Sequence, residues 1–309
     1  MGRFVAARAL YTVLVMWGAA TVVFFALRIT PGDPANFVVD PTQSAAVKAR
    51  IRHELGLDRP LLTQYWHFLR KILTFDFGQS FINHESINRI ILSAAPNTAM
   101  LAGAAGLLML GLGIPIGVLA AVRHGGVFDR LVGVAGPLAM GIPSFVLALL
   151  LVKLFALRLG WLPAAGTGGL KYLVLPAVVL VIEPLVVTIR LMRASVIEQL
   201  SRDYVRTLRA KGMPEWRVIW QHVLRNSLGP IVSLTAVQFR SLIGYTLIVE
   251  VIFRWPGLGE ALVNGVLTRD YPVAQAVALI LTVAVILSGF LADVGLAFTD
   301  PRVRRRPVS

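Results

Sequence analysis

The chain has 309 residues, 56% hydrophobic and only 15% charged, with thirty Lys and Arg against sixteen Asp and Glu and a formal charge of +14. A soluble domain carries about 25% charged residues, so a mean hydropathy of +0.73 excludes an ordinary soluble fold, and disorder with it, since disorder needs low hydrophobicity. The absence of cysteine excludes disulfide scaffolds, thiolate metal sites and thiol catalysis, and the basic excess has to be judged by where it lies relative to the apolar runs.

Uncharged runs of about 20 residues are long enough to cross a bilayer as helices, and six are predicted. The first lies between Arg8 and Arg28 and runs into a charged RITPGDP, without the small-residue cleavage site of a signal peptide. The next are expected at about 97–122, 131–152, 172–189, 229–252 and 273–298. The expected class is an all-α integral membrane protein. Residues 1–28 hold the tail and first span, 29–96 a helical outer segment, and 97–309 the core with an inner loop at 190–228. In the outer segment, Ser44 to Leu55 reads as a helix ending at Gly56. A second helix is expected through YWHFLRKIL, with Trp66, Leu69 and Leu73 on one face.

Orientation follows the positions of Lys and Arg in short loops. With an inner N-terminus, sixteen of the thirty basic residues fall on inner segments, eight of them in the 190–228 loop; the short outer loops 153–171 and 253–272 carry five. Both termini are therefore expected in the cytoplasm, and the charge does not require nucleic acid.

The inner loop, SRDYVRTLRAKGMPEWRVIWQHVLRNSLGP, reads as a helix pair. Gly212 is placed to end the first helix and Pro214 to start the second. Met213 is a poor N-cap, so something other than a side-chain cap must hold the turn. Trp216, Ile219, Trp220, Val223 and Leu224 repeat at helical spacing and form one apolar face. Such a pair either rests on lipid headgroups through its basic residues or acts as a rigid knob for an inner partner; periodicity leaves both open.

DYVRTLRAKG, followed by Arg225-Asn226 and by Pro230 eighteen residues after Gly212, resembles the EAA-type loop of ABC-importer permeases. The dipeptide, oligopeptide and nickel branch usually has DYVRTARAKG, and this chain departs from that form at Leu208. LRITPGDPA, LGLDRPLLTQYWHFL, DFGQSF, GIPIGVLAAVR, GIPSF, RLGWLPAAG, IFRWPGLGEALVNGVLTRDYPV and TDPRVR are similar to the same branch, in order along nearly the whole chain. The long outer segment is similar to the B-type subunit, which pairs with a C-type permease. The resemblance implies a type I importer fold and a coupling helix around Gly212 that docks in a cytoplasmic ATPase. The matched positions are Tyr204, Arg206, Ala210, Lys211 and Gly212, with Met213 and Pro214 completing the turn. It also implies an extracytoplasmic substrate-binding protein and a di- or oligopeptide cargo, with nickel chelates and glutathione as alternatives. No GxxxxGK[ST] occurs, so ATP and Mg²⁺ are expected in the partner ATPase and no cofactor in this chain. Surrounding membrane lipids are expected, in a bacterial inner membrane.

Ionisable residues inside hydrocarbon cost roughly 2.5–3.5 kcal/mol and normally face protein or water. Arg240 lies ~16 Å into the fifth span and Glu183 ~10 Å from the inner end of the fourth, at about 1.5 Å per residue. They are expected either to pair or to leave Arg240 facing the translocation path or snorkelling. Glu250 and Asp293 are read as solvated boundary charges. Pro115, Pro143 and Pro184 are expected to adjust or kink their spans and are candidate hinges. Gly113 and Gly117 fit a small-residue helix contact. The scattered histidines form no metal-ligand spacing, and no nucleophile elbow occurs. An ion-coupled secondary transporter is the competing class, and it gives the basic inner loop no role.

Overall fold

A computed structural model describes residues 2–29, 52 and 58–299. The expected 44–55 helix, the 27–35 motif beyond Ile29 and the C-terminal arginines fall outside the described residues. The described part is helical. Its single β feature is an isolated bridge between Gln79 and Ser86.

In chain order the helices are α1 (Gly2–Ile29), α2 (Leu61–Thr74), α3 (Ile87–Val122), α4 (Val127–Met140) and α5 (Ser144–Leu151), which continues as a π-helical segment, Val152–Arg158. Then come α6 (Leu170–Leu200), α7 (Asp203–Ala210), α8 (Glu215–Arg217), a π-helical stretch Val218–Val223, α9 (Leu224–Phe253), α10 (Leu258–Leu267) and α11 (Tyr271–Thr299). Among the described residues four helices are each long and apolar enough to cross a membrane alone, and two bent pairs bring the number to six if each pair is one span.

The third span departs from the expected straight helix over 131–152. It is two helices meeting at 102°, because α4 stops at Gly141 and Pro143 sits in an extended conformation before α5. Proline cannot donate to the preceding turn and crowds it. The fifth span is also bent, by 41° after Thr235. The second span begins ten residues earlier than expected, at Ile87, where Ile87 and Ile91 are buried against Leu258 of α10 and Val273 and Val277 of α11.

α3 and α6 form the centre. Gly113 lies against Thr188, and a Cβ at Gly117 would lie 2.6 Å from Met192 Cβ and 2.9 Å from the Ile189 carbonyl oxygen. The small residues therefore let two backbones approach. Around this axis Leu101, Ala105, Met109, Leu180, Leu242 and Trp255 form one buried cluster, and Val118, Met192, Val205, Val218, Val223 and Ile231 form a second at the loop end. α11 packs on α9, and α1 on α11, with Arg8 of α1 paired to Asp293 of α11.

α2 packs on α1 through a face beside the one shared by Trp66, Leu69 and Leu73. Tyr65 and Phe68 pack around Phe24 of α1 at ring distances of 5.2 and 5.3 Å, and the Thr21 and Tyr65 hydroxyls are 2.6 Å apart. Trp66 and Leu73 are exposed. The 60–73 stretch has apolar residues on two sides, and aromatic contact with α1 selects one.

Overfilling the α3–α6 contact is expected to be costly. Gly117→Leu should destabilise the purified protein in detergent by about 1–3 kcal/mol or more. Gly111→Ala, whose added Cβ meets nothing within 4 Å, should leave the thermal midpoint unchanged or raise it slightly.

Candidate coupling loop and intramembrane charges

The loop between α6 and α9 carries seven of the candidate residues. α7 ends in a Schellman arrangement: Gly212, at φ +75°, donates its N–H to the Arg209 carbonyl (2.9 Å) and Met213 donates to that of Leu208 (3.2 Å). Backbone bonds thus hold the turn that lacks a side-chain cap. Leu208 and Met213, the apolar positions of this motif, both pack on the cluster around Val205 and Val218. Leu208, the departure from the usual motif, therefore roots the turn. Pro214 lies one place outside the helix, as N-cap of α8. Arg209 bridges to Glu215 across the turn, Nε to Oε1 at 2.7 Å. Both are half exposed, so the pair braces geometry more than it adds stability.

Ala210, Lys211, Gly212, Pro214 and Arg206 are exposed, and Tyr204 is half-buried with its hydroxyl donating to Gln199 Oε1 at 3.2 Å. The turn therefore projects as a small knob. The expected apolar face of the second helix is corrected. Val218 and Val223 are fully buried, whereas Trp216 and Trp220 are exposed. The π-helical winding over 218–223 closes i→i+5 bonds, so the inward positions fall five apart, and a 3.6-residue pattern misplaces the tryptophans. Arg217 lies 5.3 Å from the Trp216 ring centroid.

The expected Arg240–Glu183 pair is not formed among the described residues. Both side chains are exposed, and the Arg240 guanidinium instead lies on α11 against Gly289, where a Cβ would be 2.5 Å from Nη2 and 2.7 Å from Nε. α9 presents Arg240 toward α11, so the side chain does not reach α6. Pro115 and Pro184 sit inside unbroken α3 and α6, whereas Pro143 stands at the 102° bend.

Two carboxylates carry more structure than the sequence indicated. Glu250, expected as a solvated boundary charge, is fully buried. Its Oε1 accepts from the Thr98 hydroxyl (2.7 Å) and its Oε2 from the N–H groups of Gly259 (2.6 Å) and Glu260 (3.3 Å). The carboxyl thus closes the N-terminus of α10, and Thr98 Oγ1 also accepts from Leu258 N–H at 2.8 Å. A side chain at Gly257 would overlap this carboxyl, so the PGLG run was the available signal. Asp129, 6% exposed, accepts from Arg193 Nη2 (2.8 Å), from Arg193 Nε, and from Gly125 N–H (2.9 Å), with His124 Nδ1 at 3.1 Å. It ties the α3–α4 turn to α6 near the coupling loop.

Residues 113–305 match the family described as the binding-protein-dependent transport system inner membrane component, and residues 1–102 match the N-terminal family of such membrane components. This chain belongs to that family. It is similar to the glutathione transport system permease protein GsiC of Salmonella typhimurium (strain LT2), 38% identical over 92% of this chain and 93% of that protein. It is likewise similar to GsiC of Escherichia coli (strain K12), 36% identical over 98% and 99%. In fold it is similar to a chain of the MetNI methionine ABC transporter, with a TM-score of 0.57 at 19% identity, covering 70% of this chain and 97% of that one. The binding-protein-dependent component is thus a multi-pass permease of an ABC importer, of a kind that lies in the inner membrane of bacteria. Both relatives are named for glutathione transport, and neither name extends to the dipeptide and oligopeptide cargo expected from the motifs.

Glu250→Ala should lower the stability of the purified permease by roughly 3 kcal/mol, because it leaves the Thr98 hydroxyl and two backbone N–H groups short of an acceptor. The drop in thermal midpoint in detergent measures it.

Proposed function

We propose that this permease imports a small peptide-type solute, with glutathione, itself a tripeptide, as the first candidate and short peptides next. The observation that carries this reading is the near full-length similarity to two glutathione permeases. The motif resemblance to the dipeptide and oligopeptide branch supports the same chemical class, and a nickel chelate remains the alternative cargo.

In this reading the chain supplies half of the path and a second, C-type permease the other half. An extracytoplasmic binding protein delivers the solute, and ATP-binding subunits, fused or separate, hydrolyse ATP with Mg²⁺ on the cytoplasmic side. The termini face the cytoplasm, as the distribution of basic residues requires. The coupling turn is built from Tyr204, Arg206, Ala210, Lys211, Gly212, Met213 and Pro214. The geometry supports this role. The exposed small residues Ala210 and Gly212 permit close backbone approach, and Arg206 and Lys211 offer charge to an acidic groove. Leu208 and Met213 root the knob in the α3–α6–α9 cluster, so a push on the turn reaches the spans. Pro143, at the α4–α5 bend, is the strongest of the three proline hinges; Pro115 and Pro184 act within continuous helices. Alternating access is the resulting motion.

Two measurements test this. Uptake of labelled glutathione should require the co-expressed ATPase, and uptake driven by an ion gradient with this chain alone would support a secondary transporter instead. Gly212→Trp should leave membrane insertion and complex assembly intact while abolishing ATP-driven uptake; normal uptake by that variant would sink the coupling role.

A further inference from the structure

The outward face of α9 carries one residue, Arg240, that hydrocarbon does not explain. Ser233, Val237, Arg240, Gly244 and Ile248 are exposed at helical spacing along one side, and Tyr245 beside them is 45% exposed. The opposite side, with Ile231, Leu242, Thr246, Val249 and Glu250, is buried against the bundle. Arg240 stands near the middle of this helix, well over 20 Å from its start at about 1.5 Å per residue. Among the described residues no hydrogen bond or ion pair holds its guanidinium. The group rests on α11 only because residue 289 is glycine. An arginine at that depth facing lipid costs roughly 2.5–3.5 kcal/mol, and snorkelling is longest from the middle of a span. A mixed, glycine-bearing face with a cation at its centre that has no acid beside it among the described residues is instead suited to water.

We infer that this face of α9 lines the aqueous translocation path and that Arg240 is its anion-selecting position, a cation that receives the carboxylate of the passing solute. The inference rests on the proposed peptide-type cargo for the identity of the anion, but the aqueous face and its field are properties of this chain alone. A guanidinium offers two parallel donors that match a carboxylate. Lying on Gly289 without an acidic partner, it is free to exchange α11 for the solute. Glu183 does not neutralise it, being exposed on α6 without an ion pair among the described residues. A single, partly hydrated contact of this kind binds weakly enough for the solute to move on, as conduction through a membrane requires.

The chain contains no cysteine, so an introduced thiol reports one place. Gly244 lies one turn from Arg240 on the same face, and a Cβ there meets nothing within 4 Å. Gly244→Cys in the assembled importer is treated in proteoliposomes with an anionic methanethiosulfonate (ethylsulfonate) and a cationic one (ethyltrimethylammonium). Labelling is read on this chain by mass. Both reagents should react, the anionic one faster relative to its rate with a free thiol in solution, and adding Arg240→Gln should lower the anionic-to-cationic rate ratio about tenfold. A second measurement leaves Arg240 in place: at about 1 M salt, where the screening length is about 3 Å, the ratio should fall toward that of the free thiol. No reaction with either reagent would put the face in lipid or against another chain and overturn the inference. So would a ratio indifferent to Arg240→Gln or to salt. Failure of glutathione uptake would overturn the cargo reading while leaving the labelling result standing.

Discussion

The close approach of α3 and α6 is the constraint on which the rest of this fold depends. With hydrocarbon on the outside, apolar side chains gain little by leaving lipid for protein, so association has to come from contact and from satisfied polar groups. Glycine at 113 and 117 brings two backbones together over Thr188, Ile189 and Met192, and both large buried clusters are built outward from that axis. The loop proposed for coupling leaves the end of α6 and returns into α9, which packs on the same axis. The loop and the central helix are therefore joined by direct packing.

Polar groups at the ends of the bundle do what apolar contact cannot, which is to fix relative position. Asp129 gathers Arg193, His124 and the Gly125 N–H at the α3–α4 turn, Glu250 gathers Thr98 and the start of α10, and Asp293 holds Arg8. Each carboxylate joins elements distant in the chain, and each is matched by donors, as burial of a charged group demands. Arg240 stands apart from this pattern: among the described residues no acid pairs with it, which is what makes it informative.

Composition and spacing made the class and most of the spans legible, because long runs of uncharged residues report directly on the bilayer. The turn at Gly212 was legible too, since glycine before proline has few uses. Other features were hidden for identifiable reasons. The 102° bend needs Gly141 and Pro143 to act together, and each alone is tolerated in a membrane helix. The role of Glu250 depends on Thr98, 152 residues away, a distance across which local pattern carries nothing. Which face of α2 turns inward was open in the sequence because aromatic residues lie on both sides of it, and Phe24 decides between them.

The π-helical stretch at 218–223 has a consequence for azimuth. A turn wound with i→i+5 bonds takes one residue more than an α turn, and one residue corresponds to about 100° of rotation in an α-helix. Everything C-terminal to the stretch is therefore rotated by roughly a quarter turn relative to an uninterrupted helix. The widened turn sets the compass bearing of α9, deciding that Leu242 and Glu250 look into the bundle while Arg240 looks out of it. Rewinding that single turn to α geometry would swing the bearing of α9 against the coupling turn, turning a local change of pitch into a change in which side chains the far half of the helix displays.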